Sequence, residues 1–131
     1  MHMARPARPC VLVVEDEAII ALMTQSTLED LGCEVIGIAH SVSHAMVMIQ
    51  ANLHRLDIVA LDINLNGESA APLAALLETK GIPFIITTGY DKAEFLTMYA
   101  GRPVLHKPYL AEHMAKTLTP LLLTSKQQFI R

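Results

Sequence analysis

The 131-residue chain has the length of one domain, and its 52% hydrophobic content supports a single sizeable core with little room for a second. A formal net charge of -3 without a dense Lys/Arg block lacks the electrostatic footprint of a nucleic-acid binder. No apolar run reaches the ~18 residues of a membrane span, so a cytoplasmic protein with neither nucleic-acid nor membrane partners is expected.

Residues 1–8 carry arginine and proline without periodicity and read as a loose tail. "CVLVVE" (10–15) is the first strand. Ile20, Met23, Thr27, Leu28 and Leu31 then fall on one helical face that stops at Gly32. "EVIGIA" (34–39) is a second strand, and Ser41 is placed to cap a helix carrying Ala45, Met48, Ile49 and Leu53. "DIVALD" (57–62) is a third strand, and "AAPLAALLETKG" (70–81) a helix with Pro72 near its first turn and Gly81 at its end. "PFIITT" (83–88) gives a fourth strand, residues 91–99 a short helix, and "PVLHK" (103–107) a fifth strand. A last helix begins near Leu110, and Pro120, which lacks an amide hydrogen, is expected to kink or end it near Thr119. Residues 125–131 form a C-terminal tail whose Phe129 and Ile130 either dock on the domain or meet a partner.

Strands alternating with helices predict stacked βα units around a parallel sheet. The strands are nearly continuously apolar, as strands covered by helices on both faces must be. The expected architecture is an open, doubly wound α/β sheet, and such sheets bind ligands beyond the carboxyl ends of their strands.

The polar residues fall at those ends. Glu15 and Asp16 follow the first strand, Asp62 ends the third, Thr87 and Thr88 end the fourth, and Lys107 ends the fifth. Each has an ordinary reading alone: Asp62 as a turn residue, Asp16 and Thr88 as helix caps, Lys107 as a solvated lysine. Together, carboxylates at adjacent strand ends repel by roughly 4 kcal/mol per pair at 4 Å and an effective dielectric of 20. A hard cation accounts for them, and a carboxylate and carbonyl oxygen set open to water suits Mg²⁺. Thr88 and Lys107 on the opposite side suit a phosphoryl group, with Asp62 as the nucleophile that accepts it.

The stretches "VEDE", "LDINLNGE", "TTGY" and "HKPY", in this order and at these intervals, resemble the response-regulator receiver domain of two-component signalling. The likeness runs from about Cys10 to about Thr124, within a receiver domain placed at 9–124. It implies a flavodoxin-like (βα)5 fold with strand order 2-1-3-4-5. It also implies phosphorylation of Asp62 by a histidine kinase or histidine phosphotransfer protein. Mg²⁺ would be held by Asp16, Asp62, the backbone carbonyl of Asn64 and, through water, Glu15. Thr88, which precedes Gly89, would bind the phosphoryl oxygen in preference to Thr87, Lys107 would pair with it, and the Lys107–Pro108 peptide would be cis. The protein would act as a single-domain switch toward an unknown downstream protein, or as a phosphate sink or shuttle, and a homodimer is compatible with the family.

Two features depart from the family pattern. Val104 stands where receivers commonly carry a switching Tyr or Phe, which makes Tyr90, after Thr-Gly, the candidate for a displaced switch. Asn66-Gly67 follows Asp62 where many receivers have proline, and Asn-Gly favours the positive φ of a tight turn. The remaining histidines and methionines read as surface or packing residues. Cys10 and Cys33 read as reduced apolar fillers. Two other functions use parts of the same pattern. A phosphate-independent interaction domain would be favoured by an incomplete acidic set, and this set is complete. A hydrolase of the haloacid-dehalogenase type would need a second acid two residues after the nucleophile, where Asn64 stands.

Overall fold

The computed structural model describes residues 8–89 and 101–129. In chain order its elements are β1 (Cys10–Val14), α1 (Ala18–Asp30), β2 (Glu34–Ala39), α2 (Val42–Ala51), β3 (Ile58–Asp62), β4 (Asn64–Leu65), β5 (Glu68–Ser69), α3 (Ala71–Thr79), β6 (Phe84–Thr88), β7 (Val104–His106) and α4 (Ala111–Phe129). The expected helix at 91–99 lies outside the described residues, as do Tyr90 and Ile130.

Five strands form one parallel sheet in the order β2-β1-β3-β6-β7. Counting the strands of this sheet alone, that is the expected 2-1-3-4-5. Successive residues of a strand point to opposite faces, and here each face has its own core. Leu12, Val14, Val59, Leu61, Phe84 and Ile86 meet Ala45 and Ile49 of α2 and Leu73 and Leu77 of α3. Val11, Val13, Ile58 and Ile85 meet Ala21 and Leu28 of α1 and Met114 and Leu118 of α4. That is why the strands are apolar without alternation.

Ser41 caps α2 as expected, its hydroxyl accepting from the His44 amide at 3.1 Å. Replacing Ser41 by alanine should cost about 1 kcal/mol, read as a lower urea midpoint with an unchanged slope.

Two expectations are corrected. The buried face of α1 is Ala21, Thr24 and Leu28, rotated from the expected stripe. Ile20 and Leu31 are half-buried, while Met23 is 65%, Ile19 75% and Leu22 60% exposed. Of the two outcomes expected at Pro120, a kink or an end, the end does not occur: the last helix runs on to Phe129. Leu121 and Leu122, just beyond the proline, pack on the second core beside Leu118, so tertiary burial offsets the missing amide hydrogen bond.

Candidate functional site

The chain passes from β1 outward to β2 and returns to β3 on the other side, so the strand order reverses between β1 and β3. Loops at such a point leave a crevice. Val14 pairs with Leu61, which sets the following residues, Glu15 and Asp62, side by side. Thr88 pairs with His106, so Lys107 emerges one residue beyond the ladder at the same edge. Its amide donates to the Thr88 carbonyl at 2.8 Å, and the Lys107–Pro108 peptide is cis. The Lys107 ammonium donates to Glu15 Oε1 at 2.5 Å and to Asp62 Oδ2 at 2.9 Å.

Glu15, Asp16 and Asp62 each offer an oxygen, all within 4.8 Å of one another. Burial pushes the Glu15 carboxyl up to about 7; the Asp62 charge adds to this, and the Lys107 ammonium opposes it. For Asp16 burial also works upward, but hydrogen bonds from the Glu15 carboxyl and the Asn66 amide outweigh it and hold the group below the ordinary carboxylate range. Lys107 is held above the usual lysine value: burial disfavours its charge, and the two carboxylates more than compensate. The metal-free site thus keeps Asp16 charged and favours a proton on Glu15. An all-oxygen donor set beside an open hollow of about 360 Å³, lined by Asp16, Asp62, Asn64, Asn66 and Lys107, suits Mg²⁺ by ligand type and leaves room for water.

The turn beyond Asp62 is a small hairpin in which Asn64 pairs with Ser69 and Leu65 with Glu68. Asn66 and Gly67 both have positive φ, 54° and 83°, the geometry of a two-residue hairpin turn and the reason for Asn-Gly there. The Asn64 amide donates to Asp62 Oδ1 at 3.1 Å, and its side-chain oxygen accepts from the Gly67 amide at 2.8 Å. The Asn66 amide donates to Asp16 Oδ2 at 3.0 Å. Asp16 is therefore not the cap of α1, whose N-cap is Glu17 with no side-chain bond.

Glu15, Asp16, Asp62, Asn64 and Lys107 converge at one edge. Thr88 is fully buried at the end of β6, and its neighbour Gly89 lines the hollow. Thr87, the other strand-end threonine, is buried as well. Three further contacts form at or near this edge. His40 Nδ1 is 2.9 Å from the Glu15 carbonyl, a position that the expected strand order, with the second strand beside the first, could have suggested. The Asn66 latch on Asp16 needed the turn geometry. Thr24 Oγ1 lies 2.6 Å from the Tyr109 hydroxyl, and no local pattern in the sequence signals that contact.

The sequence profile of the response regulator receiver domain matches residues 11–119. The chain is 31% identical over 116 residues to the phyllosphere-induced regulator PhyR of Methylorubrum extorquens, a match covering 86% of this chain and 43% of that protein. It is 28% identical over 87 residues to the transcriptional regulatory protein PdtaR of Mycobacterium tuberculosis, covering 66% of this chain and 42% of that protein. The chain thus spans less than half the length of these curated relatives. The solution structure of SdrG from Sphingomonas melonis Fr1 superimposes with a TM-score of 0.75 at 33% identity, covering 90% of this chain and 99% of that one. Receiver domains are signalling phosphoacceptors. Receiver domains generally bind Mg²⁺ at an acidic pocket, and with the profile matched over residues 11–119 this chain belongs to the response regulator receiver domain family.

Proposed function

We propose that the protein accepts one phosphoryl group on the Asp62 carboxylate from a histidine kinase or histidine phosphotransfer protein, and that the modification controls its fit to a downstream protein. The observation that carries this reading is the Asp62 carboxylate itself: it lines the open hollow with the Lys107 ammonium 2.9 Å away. An Asp62 oxygen forms the new bond to phosphorus as the bond to the donor nitrogen breaks, leaving the donor imidazole. Lys107 offers its charge to the transferred oxygens, and backbone amides of the turn lie beside them. Thr88 takes a phosphoryl oxygen through its hydroxyl.

Asp16, Asp62 and the Asn64 carbonyl would hold Mg²⁺, with Glu15 acting through water. The ion, when bound, neutralises charge on the phosphoryl oxygens. The exposed face of Ile19, Leu22 and Met23 on α1 supports docking of the donor beside the site, since exposed apolar patches mark interaction surfaces. A cytoplasmic location goes with this role; among the described residues, no helix is long and apolar enough to cross a membrane.

The test is incubation with Mg²⁺ and acetyl phosphate, followed by intact-protein mass spectrometry. One phosphate should be gained by the wild type and none by Asp62→Asn that circular dichroism shows to be folded. A wild-type protein that takes up no phosphate would sink the proposal. Continued turnover of many organophosphates per molecule would replace it with a hydrolase.

A further inference from the structure

We infer that Thr24 and Tyr109 are positioning residues for phosphoryl transfer, holding the lysine-bearing loop after β7 against the helix that follows the acidic loop after β1. The inference rests on the proposed role of Asp62 as phosphoacceptor.

Thr24 lies on the inward face of α1 and is only 5% exposed. Valine would fill the same volume there, and a buried hydroxyl is costly unless it is hydrogen-bonded. Its partner is the Tyr109 hydroxyl, 2.6 Å away and 85 residues distant in sequence. Tyr109 stands two residues beyond Lys107, and α1 begins two residues beyond Asp16. One hydroxyl pair therefore joins the two segments that deliver the ammonium and the acids to the site. On the strand side, the bond from the Lys107 amide to the Thr88 carbonyl fixes the same loop.

Tyr109 also packs against the second core, but that packing is incomplete on the side that faces α1. A groove of about 350 Å³, lined by Ile20, Met23, Thr24, Pro108 and Tyr109, runs between α1 and the loop. Across such an opening the hydrogen bond restrains the loop where side chains do not fill the space. The Lys107 ammonium meets two carboxylates at 2.5 Å and 2.9 Å, and the position of its backbone sets how far its flexible stem must reach to keep both.

The test is the double variant Thr24→Val/Tyr109→Phe, which removes both hydroxyls and leaves an apolar pair of near-equal shape. Its melting temperature should stay close to the wild type, because neither partner is left unsatisfied. Its rate of phosphorylation by acetyl phosphate in Mg²⁺ should fall about tenfold, with Mg²⁺ affinity unchanged. Thr24→Ser, which keeps the hydroxyl, should retain the wild-type rate. Independently of phosphorylation, the NMR resonance of the Lys107 ammonium should shift or broaden in the double variant. A double variant phosphorylated at the wild-type rate overturns the inference, as does a rate that falls equally in Thr24→Ser. If even the wild type takes up no phosphate, the phosphoacceptor reading fails. The Lys107 resonance then decides the positioning role: displaced in the double variant it stands, and unmoved it falls.

Discussion

Lys107→Ala should destabilise the metal-free protein by about 3 kcal/mol near pH 8 and by much less near pH 5. Among the described residues, the Lys107 ammonium is the cation that both Glu15 and Asp62 touch. Both carboxylates are nearly inaccessible to water, so removing the ammonium leaves two buried negative charges facing each other without compensation. The fold relieves this by taking up protons, and Glu15, already pushed up to about 7, is the group to take the first. Near pH 5 the carboxyl is neutral and the loss of the lysine leaves little charge exposed to repulsion; near pH 8 the proton is absent and the full cost appears. Saturating Mg²⁺ should recover much of the difference, because a bound cation replaces the lost charge. Urea unfolding at the two pH values, with and without Mg²⁺, measures each part. Equal destabilisation at both would mean that Lys107 acts through packing of its stem rather than its charge. Phosphorylation by acetyl phosphate should also fall sharply in the variant, since the charge facing the transferred oxygens is gone.

The sheet was legible because its signal is redundant. Each strand is apolar along its length, each of the first three described helices ends at a glycine or polar turn, and the strand ends carry the polar residues. Glu15, Asp16, Asp62 and Lys107 could be placed at one edge as soon as the strands were parallel, since parallel strands deliver their carboxyl ends to the same side. What could not be read was set by packing between elements. Hydrophobicity alone favoured Met23 over Thr24 as an inward residue of α1, yet Thr24 is buried because a tyrosine 85 residues away bonds to it. Pro120 signals a kink or an end to a local reading; Leu121 and Leu122 keep the helix going by reaching the second core. The partners of Asp16 were hidden for a similar reason. Helix capping is its local preference, whereas the Asn66 amide comes from a hairpin whose position depends on the whole sheet.

Glu15→Gln should make the metal-free protein more stable near pH 8 and a weaker Mg²⁺ binder. The Glu15 carboxyl is raised above its ordinary value of 4.5 to about 7 in the folded state, so folding favours its protonated form. The stability this confers is complete below about pH 4.5 and is lost as pH rises through about 7. Glutamine is neutral throughout and keeps an oxygen for the Lys107 ammonium, so the variant should lack that decline and melt about 5 °C higher near pH 8. Comparing the two proteins isolates Glu15 from Asp57, which burial also raises, and from Asp16, which is lowered and acts in the opposite direction. Mg²⁺ affinity should drop by about tenfold to a hundredfold in the variant. In the wild type it should weaken as pH falls below about 7, because the proton on Glu15 competes with the cation; in Glu15→Gln that pH dependence should largely vanish. Thermal melts and Mg²⁺ titrations across pH test both halves, and a variant that melts below the wild type near pH 8 would show that the carboxylate is there for the fold. The expected opposition, a residue that weakens the empty protein and strengthens the loaded one, is what distinguishes an acid kept for a ligand from an acid kept for structure.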